Sequence, residues 1–200
     1  MKKFLSVIFC VTLVFTMLFG FSACAGKVEI NTENVTAAVE KTEKALQTFD
    51  TKKLSKYVDS KTLGVIIPVA EKKDAFMELG KAMFKNLSIE VVSVNEADST
   101  VTVKVINKDL YNDASEFATR LNNNYSRMQL VGLLENEGFI NSNLNPLISK
   151  IDEAPMLTEY KEVTLKVTQG KKNLVLSFDD EAEDAVSGGA LGAIKTVFGI

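Results

Sequence analysis

Three kinds of periodicity follow one another along this chain. Lys2 and Lys3 lead into an apolar run from Phe4 to Phe21 that carries no charge. From Val35 the apolar positions recur at three- and four-residue steps, through Ala38, Val39, Thr42, Ala45, Leu46 and Phe49. That spacing predicts a helix with one buried stripe, Thr32 as its N-cap, Glu33 in the first turn, and Glu40 and Lys44 paired on the outer face. A second short helix, capped by Asp50 or Thr51, carries Leu54, Tyr57 and Val58. Leu63 to Ile67 reads as a brief extended piece, with Pro68 in the first turn of the next helix. Phe76, Met77, Gly80, Met83, Phe84 and Leu87 are that helix's buried stripe, and Gly80 predicts a close helix-to-sheet approach.

The period then becomes two. Ser88–Val94 and Thr100–Asn107 flank a turn at Asn95–Ser99, and Val101, Val103 and Val105 alternate with Thr100, Thr102 and Lys104. A second hairpin sets Val163, Leu165 and Val167 against Leu174, Leu176 and Phe178 across the turn Gln169–Lys172. The two hairpins are expected to join in one antiparallel sheet. Between them, from about Asp109 to Ala154, lies a helical insertion. One helix carries Leu110, Ala114, Phe117, Leu121, Tyr125 and Met128 and continues through Leu130, Val131, Leu133 and Leu134. After a turn near Gly138, another helix is expected around Pro146 to Ile151. The last segment, Ala185 to Ile200, is apolar and rich in small residues, with Gly188 and Gly192 four apart. It is expected to dock inside the domain, with self-association as the alternative. The fold class that results is α+β: N-terminal helices on a curved antiparallel sheet of two hairpins, a helical insertion between them, and a C-terminal apolar helix.

The first segment fixes the compartment. Two lysines, an apolar stretch and the small residues Ser22 and Ala23 have the layout of an export signal, which is removed from the mature chain. The tetrapeptide Phe21-Ser22-Ala23-Cys24 resembles the bacterial lipobox, with phenylalanine where the motif usually has leucine. That resemblance implies cleavage after Ala23 and a diacylglyceryl group on Cys24. Two acyl chains, at about 0.8 kcal/mol per buried CH₂, hold a protein to a membrane stably where one does not. The alternative is an uncleaved span, for which eighteen residues at about 1.5 Å each give roughly 27 Å against a hydrocarbon core of about 30 Å. Residues 1–23 are thus the signal, 24–31 a lipidated tether, and 32–200 one domain facing outside the cytoplasm. Membrane attachment is through the lipid.

Composition removes whole classes of chemistry. Of the 23 Lys and Arg, Lys2 and Lys3 go with the leader; 21 remain against 26 Asp and Glu, a net charge of −5, and nothing marks nucleic-acid binding. There is no histidine and no tryptophan, so histidine-assisted nucleophiles and histidine zinc sites are excluded. Beyond Cys10 and Cys24 there is no cysteine, and stability rests on packing. No cofactor motif is present.

Each remaining candidate has an ordinary structural explanation that is preferred. Lys52, Lys53, Lys56 and Lys61 are a solvated helix face before they are a patch for anionic polymer. Asn122, Asn123 and Asn124, with Asn141, Ser142, Asn143 and Asn145, could form a sugar-binding rim but suit turns and helix ends. Asp179, Asp180, Glu181, Glu183 and Asp184 could hold calcium, yet their spacing fits no calcium loop, and acids belong at a helix N-terminus.

The order helix, short helix, helix, hairpin, insertion, hairpin, helix, with KALQTFDTKKLSKYV at Lys44–Val58, resembles the NTF2-like (cystatin-like α+β) superfamily and its small exported lipoproteins. The resemblance is architectural and covers most of residues 33–180; it implies a cup between sheet and helices. In enzymes of that type an acid and a tyrosine do the chemistry. Tyr57, Asp59, Tyr111 and Tyr160 are the residues of that kind here, and none aligns with a catalytic pattern. Three functions follow: a non-enzymatic lipoprotein binding a partner protein or envelope component, with the cup filled; a carrier or cup enzyme, with an open pocket and a carboxyl raised by burial; or a self-associating structural protein. The first is preferred, because no residue pattern supports the second.

Overall fold

Asn31, one residue before the expected cap, starts the fold: its side chain accepts from Asn34 N–H at 2.9 Å and opens helix α1, Thr32–Gln47. The computed structural model describes residues 27–200; Cys24 and the leader lie outside them. The stripe from Val35 to Phe49 is buried as expected. At its end Phe49 N–H bonds Leu46 C=O at 2.8 Å and Asp50 N–H bonds Ala45 C=O at 2.9 Å. This is a Schellman closure, with Phe49 at φ 46° in the position that usually needs glycine. Asp50 then caps α2, Thr51–Tyr57, by accepting from Lys53 N–H.

The next stretch departs from expectation. Val58–Ser60 forms a short strand, β1, and Lys61–Ala70 is a helix, α3, where an extended piece was predicted. The Ser60 hydroxyl accepts from Leu63 N–H at 3.0 Å and starts the helix. Pro68 lies in its last turn rather than in the first turn of the next helix, so its missing N–H removes one hydrogen bond from a helix about to end. Helix α4, Asp74–Phe84, follows.

Strands β2 (Ser88–Asn95) and β3 (Thr100–Ile106) form the first hairpin, with a bulge between Val91 and Ser93. Strands β4 (Lys161–Gln169) and β5 (Leu174–Phe178) form the second. Antiparallel β3–β4 pairing, with Val103 opposite Val163, joins them. Strand β1 adds parallel to β5, pairing Ser60 with Phe178. The sheet is therefore mixed, five strands in the order β1-β5-β4-β3-β2, and open rather than closed. One face carries Val101, Val103, Val105, Val163, Leu165 and Val167, all buried beneath α1 and its neighbours. On the other face Thr102 meets Thr164 at 3.2 Å and Lys104 faces Glu162 at 3.8 Å. Burying each valine or leucine on the inner face stabilises the fold by about 1.5–3 kcal/mol.

The insertion is three helices: α5 (Tyr111–Asn124), α6 (Arg127–Leu133) and α7 (Glu137–Glu153). The expected continuation from Tyr125 through Leu134 is broken at Ser126, which restarts the chain with a capping box to Gln129. Gly138 lies inside the first turn of α7 rather than at the turn, and Pro146 is within that helix. The final segment is also divided. Helix α8, Asp180–Val186, ends at Ser187, and after Gly188 and Gly189, both at positive φ, α9 runs over Ala190–Phe198. Helix α9 docks within the domain, as expected, but against α5 rather than on the sheet. A second, smaller core of Leu110, Ala114, Leu147, Ile151, Ala190 and Ala193 results, and Met83 of α4 touches both cores. Among the described residues no helix is long and apolar enough to cross a membrane.

Candidate functional site

Where the two cores meet they leave a cavity of about 440 Å³. Leu46 and Phe49 contribute from the end of α1, Phe178 from the end of β5, and α4 supplies Phe76, Leu79 and Met83. The insertion closes the far side with Phe117 and Leu121 of α5, the apolar face of α6, and Phe139 and Leu144 of α7. Leu191, Ile194 and Phe198 of α9 complete it. The wall is almost wholly hydrocarbon.

Its few polar side chains are already engaged. Ser60 and Thr62 donate their hydroxyls to the two oxygens of Glu183, and Thr62 N–H donates to Glu183 Oε1 at 3.0 Å. Lys195 stands 3.4 Å from Glu183 and 2.7 Å from Asp180. Burial pushes the Glu183 carboxyl up, but the hydrogen bonds from Ser60 and Thr62 and the Lys195 charge outweigh it and hold the group below its ordinary value. Asn143, the remaining polar lining residue, accepts from Arg120 Nη1 at 2.6 Å and donates to Phe139 C=O at 2.8 Å. Among the described residues no lysine or arginine lines the cavity.

Helix α6 forms the mouth. None of its residues is buried, although four of its seven are apolar. Met128 is 86 % exposed and Val131 68 % exposed, where the sequence pattern placed both in a buried stripe. Val131 also lines the cavity, with Leu130 and with Leu134 just beyond the helix. One side-chain contact, from the Arg127 guanidinium to Phe198 C=O, ties α6 to α9.

The sequence candidates are scattered by comparison. Asp59, Tyr111 and Tyr160 are exposed, Tyr57 is half-buried, and none of the four lines the cavity. Lys52, Lys53, Lys56 and Lys61 are exposed, with Lys53 paired to Asp50 at 2.9 Å. The asparagines form no common rim: Asn124 bonds back to Arg120 C=O on its own helix, while Asn143 turns inward. The acidic run is dispersed. Asp179 caps α8, Asp180 pairs with Lys195, Asp184 pairs with Lys161 at 3.0 Å, and Glu183 turns into the cavity wall. Among the described residues no acids cluster so as to hold a metal ion. Sequence reading missed the inward turn of Glu183, and the one signal for it was the Ser-Lys-Thr triplet at residues 60–62, whose hydroxyls flank a turn.

Comparison with protein families, with curated proteins and with solved structures finds no match for this chain.

Proposed function

We propose that this protein is a lipoprotein tethered through Cys24 outside the cytoplasm, whose NTF2-like α+β domain holds a small apolar ligand and catalyses no reaction. The cavity carries this reading. Left bare, a wall of this size keeps a large apolar surface in contact with water, which opposes folding rather than favouring it. Water is a poor filling, because an ordered molecule needs two to four polar partners and this wall has spent its own. An apolar guest removes both costs.

A cup enzyme would hold a carboxyl raised by burial beside an accessible donor. Here the one carboxyl in the wall is held down and saturated with hydrogen bonds, and the tyrosines lie elsewhere. The NTF2-like assignment is supported by helices lying on one face of a sheet built from two hairpins. The main core fills most of the space between sheet and α1, and the cavity lies where the ends of α1 and β5 meet the insertion.

The tether leaves from the opposite end of the domain. Val28 C=O accepts from Gln169 at the end of β4, and Thr32 bonds Glu96 in the first hairpin's turn. Helix α1 then runs about 21 Å to reach Leu46 in the cavity wall.

Two measurements test this reading. Mass spectrometry of protein from cells should show a diacylated Cys24 at the N-terminus, with Cys24→Ala leaving the leader uncleaved and the protein unacylated. The mature chain carrying Cys24→Ser should bind N-phenyl-1-naphthylamine saturably, and Ile66→Trp or Ile194→Trp, each filling the cavity from a different wall, should abolish binding while circular dichroism is unchanged. Absence of saturable binding by the folded wild-type domain would overturn the carrier reading.

A further inference from the structure

The cavity wall also specifies the charge of its guest. Resting on the carrier reading above, we propose that the ligand is an uncharged hydrophobe.

An anionic head has nowhere to go. Among the described residues the only ionised group in the wall is Glu183, which is itself negative and 3 % exposed. Of the neighbouring cations, Lys195 is paired with Asp180 and Glu183, while Arg120 gives one N–H to Asn143 and Arg127 one to Phe198 C=O, both from outside the wall. A carboxylate entering the cavity would lose its water, find no donor, and meet a like charge.

A cationic head fares little better. The charge on Glu183 is balanced by Lys195 and by three hydrogen bonds, two from hydroxyls and one from Thr62 N–H. An incoming ammonium would have to break that set to gain a partner, and it would sit against the Lys195 ammonium. Polar uncharged groups gain nothing inside either. Ser60 Oγ both donates to Glu183 and accepts from Leu63 N–H, and Asn143 is engaged at its oxygen and at its nitrogen. Discrimination of this kind works by exclusion, through charges left without partners rather than by added contacts. A single neutral hydroxyl is tolerated only if it points back out under α6, where Val131 stands half in the cavity and half in solvent.

Three competitors of equal chain length separate the cases: 1-dodecanol, dodecanoate and dodecylammonium, each displacing N-phenyl-1-naphthylamine from the mature Cys24→Ser chain at pH 7.5 and below its aggregation concentration. The expected result is displacement by dodecanol at concentrations at least about tenfold below those needed for either ion, a difference that narrows for dodecanoate in Glu183→Gln. Displacement by either ion at or below the dodecanol concentration overturns the inference and leaves the carrier reading standing. If the probe does not bind at all, the carrier reading and this inference fall together.

Discussion

Glu183 on α8 and Thr62 on α3, 121 residues apart in sequence, are joined twice: Thr62 N–H donates to one carboxylate oxygen at 3.0 Å and the Thr62 hydroxyl to the other. The contact staples the β1–α3 corner to the helix that follows β5, and it does so with a charge that burial alone would disfavour. Because the carboxyl is held below the ordinary glutamate value of 4.5, its contribution is complete above that pH and is lost as the pH falls through the folded value. Glu183→Gln should therefore lower stability by about 1.5–3 kcal/mol at pH 7 and make much less difference at pH 3. Urea midpoints of the two proteins across that range check it; a gap that stays constant with pH would mean the ionised form is not the stabilising one.

Gly80 lies directly against the Phe49 ring, and a Cβ built on it would come within 2.5 Å of that ring. The ring could yield only toward the cavity that it also lines. Phe49 is buried, stacks on Phe84 at 6.0 Å between centroids, and has a backbone fixed by the closure of α1. Gly80→Ala gains about 1 kcal/mol of helix propensity but forces overpacking that costs about 1–3 kcal/mol. The expected outcome is a net loss in the thermal midpoint, relieved when Phe49→Leu is added; additive losses would show that the two side chains do not compete for the same space. The predicted close approach at this glycine is real, and its partner is an aromatic ring rather than the sheet.

What could be read in advance follows from how local each signal is. The hairpins were visible because Val101, Val103 and Val105 alternate with polar residues, and one buried face demands that period. The stripe of α1 was visible for the same reason. Helix α3 was not, because Leu63–Ile67 is apolar without period and its start depends on a Ser60 cap that looks like any other serine. Helix α6 misled in a different way: Leu130, Val131, Leu133 and Leu134 look like core, but burial depends on what stands opposite, and here that is empty space. The inward turn of Glu183 depends on residues more than a hundred positions away, so five adjacent acids offered no means of choosing among them. Phe49 takes a left-handed conformation without glycine's signal, and only the packing around it explains why the cost is met.

The crossing of α8 and α9 over the insertion depends on Gly188. At φ 60° its Cβ position would lie 1.9 Å from the Lys108 carbonyl oxygen, a backbone atom, while its own C=O accepts from Leu110 N–H at 2.9 Å. Lys108 is itself anchored, its ammonium donating to Ile151 C=O and Asp152 C=O at the end of α7. Gly188→Ala should cost more than about 3 kcal/mol, combining left-handed strain with a clash that neither strand of chain can yield to. Gly192→Ala meets only the Asp184 side chain and should cost less. Chemical denaturation of both variants ranks them; equal losses would mean the junction is looser than the contact implies.

Access to the cavity is expected to run through α6. This helix buries nothing, has its apolar side chains at the mouth, and is held by the Ser126–Gln129 capping box and by the Arg127 contact to Phe198. Such a segment sits at the low end of local stability, since few buried contacts oppose its opening. Removing a cap costs about 1 kcal/mol, so if opening of α6 limits release, Ser126→Ala or Arg127→Ala should raise the dissociation rate of N-phenyl-1-naphthylamine roughly fivefold, with little change in global stability. Stopped-flow dilution of the loaded protein measures that rate directly. An unchanged rate in both variants, with the equilibrium affinity also unchanged, would place the entrance elsewhere on the wall. Stopped-flow mixing of the probe with Val131→Asp, which sets a charge at the mouth, should show slower entry of the neutral probe with the fold unaltered.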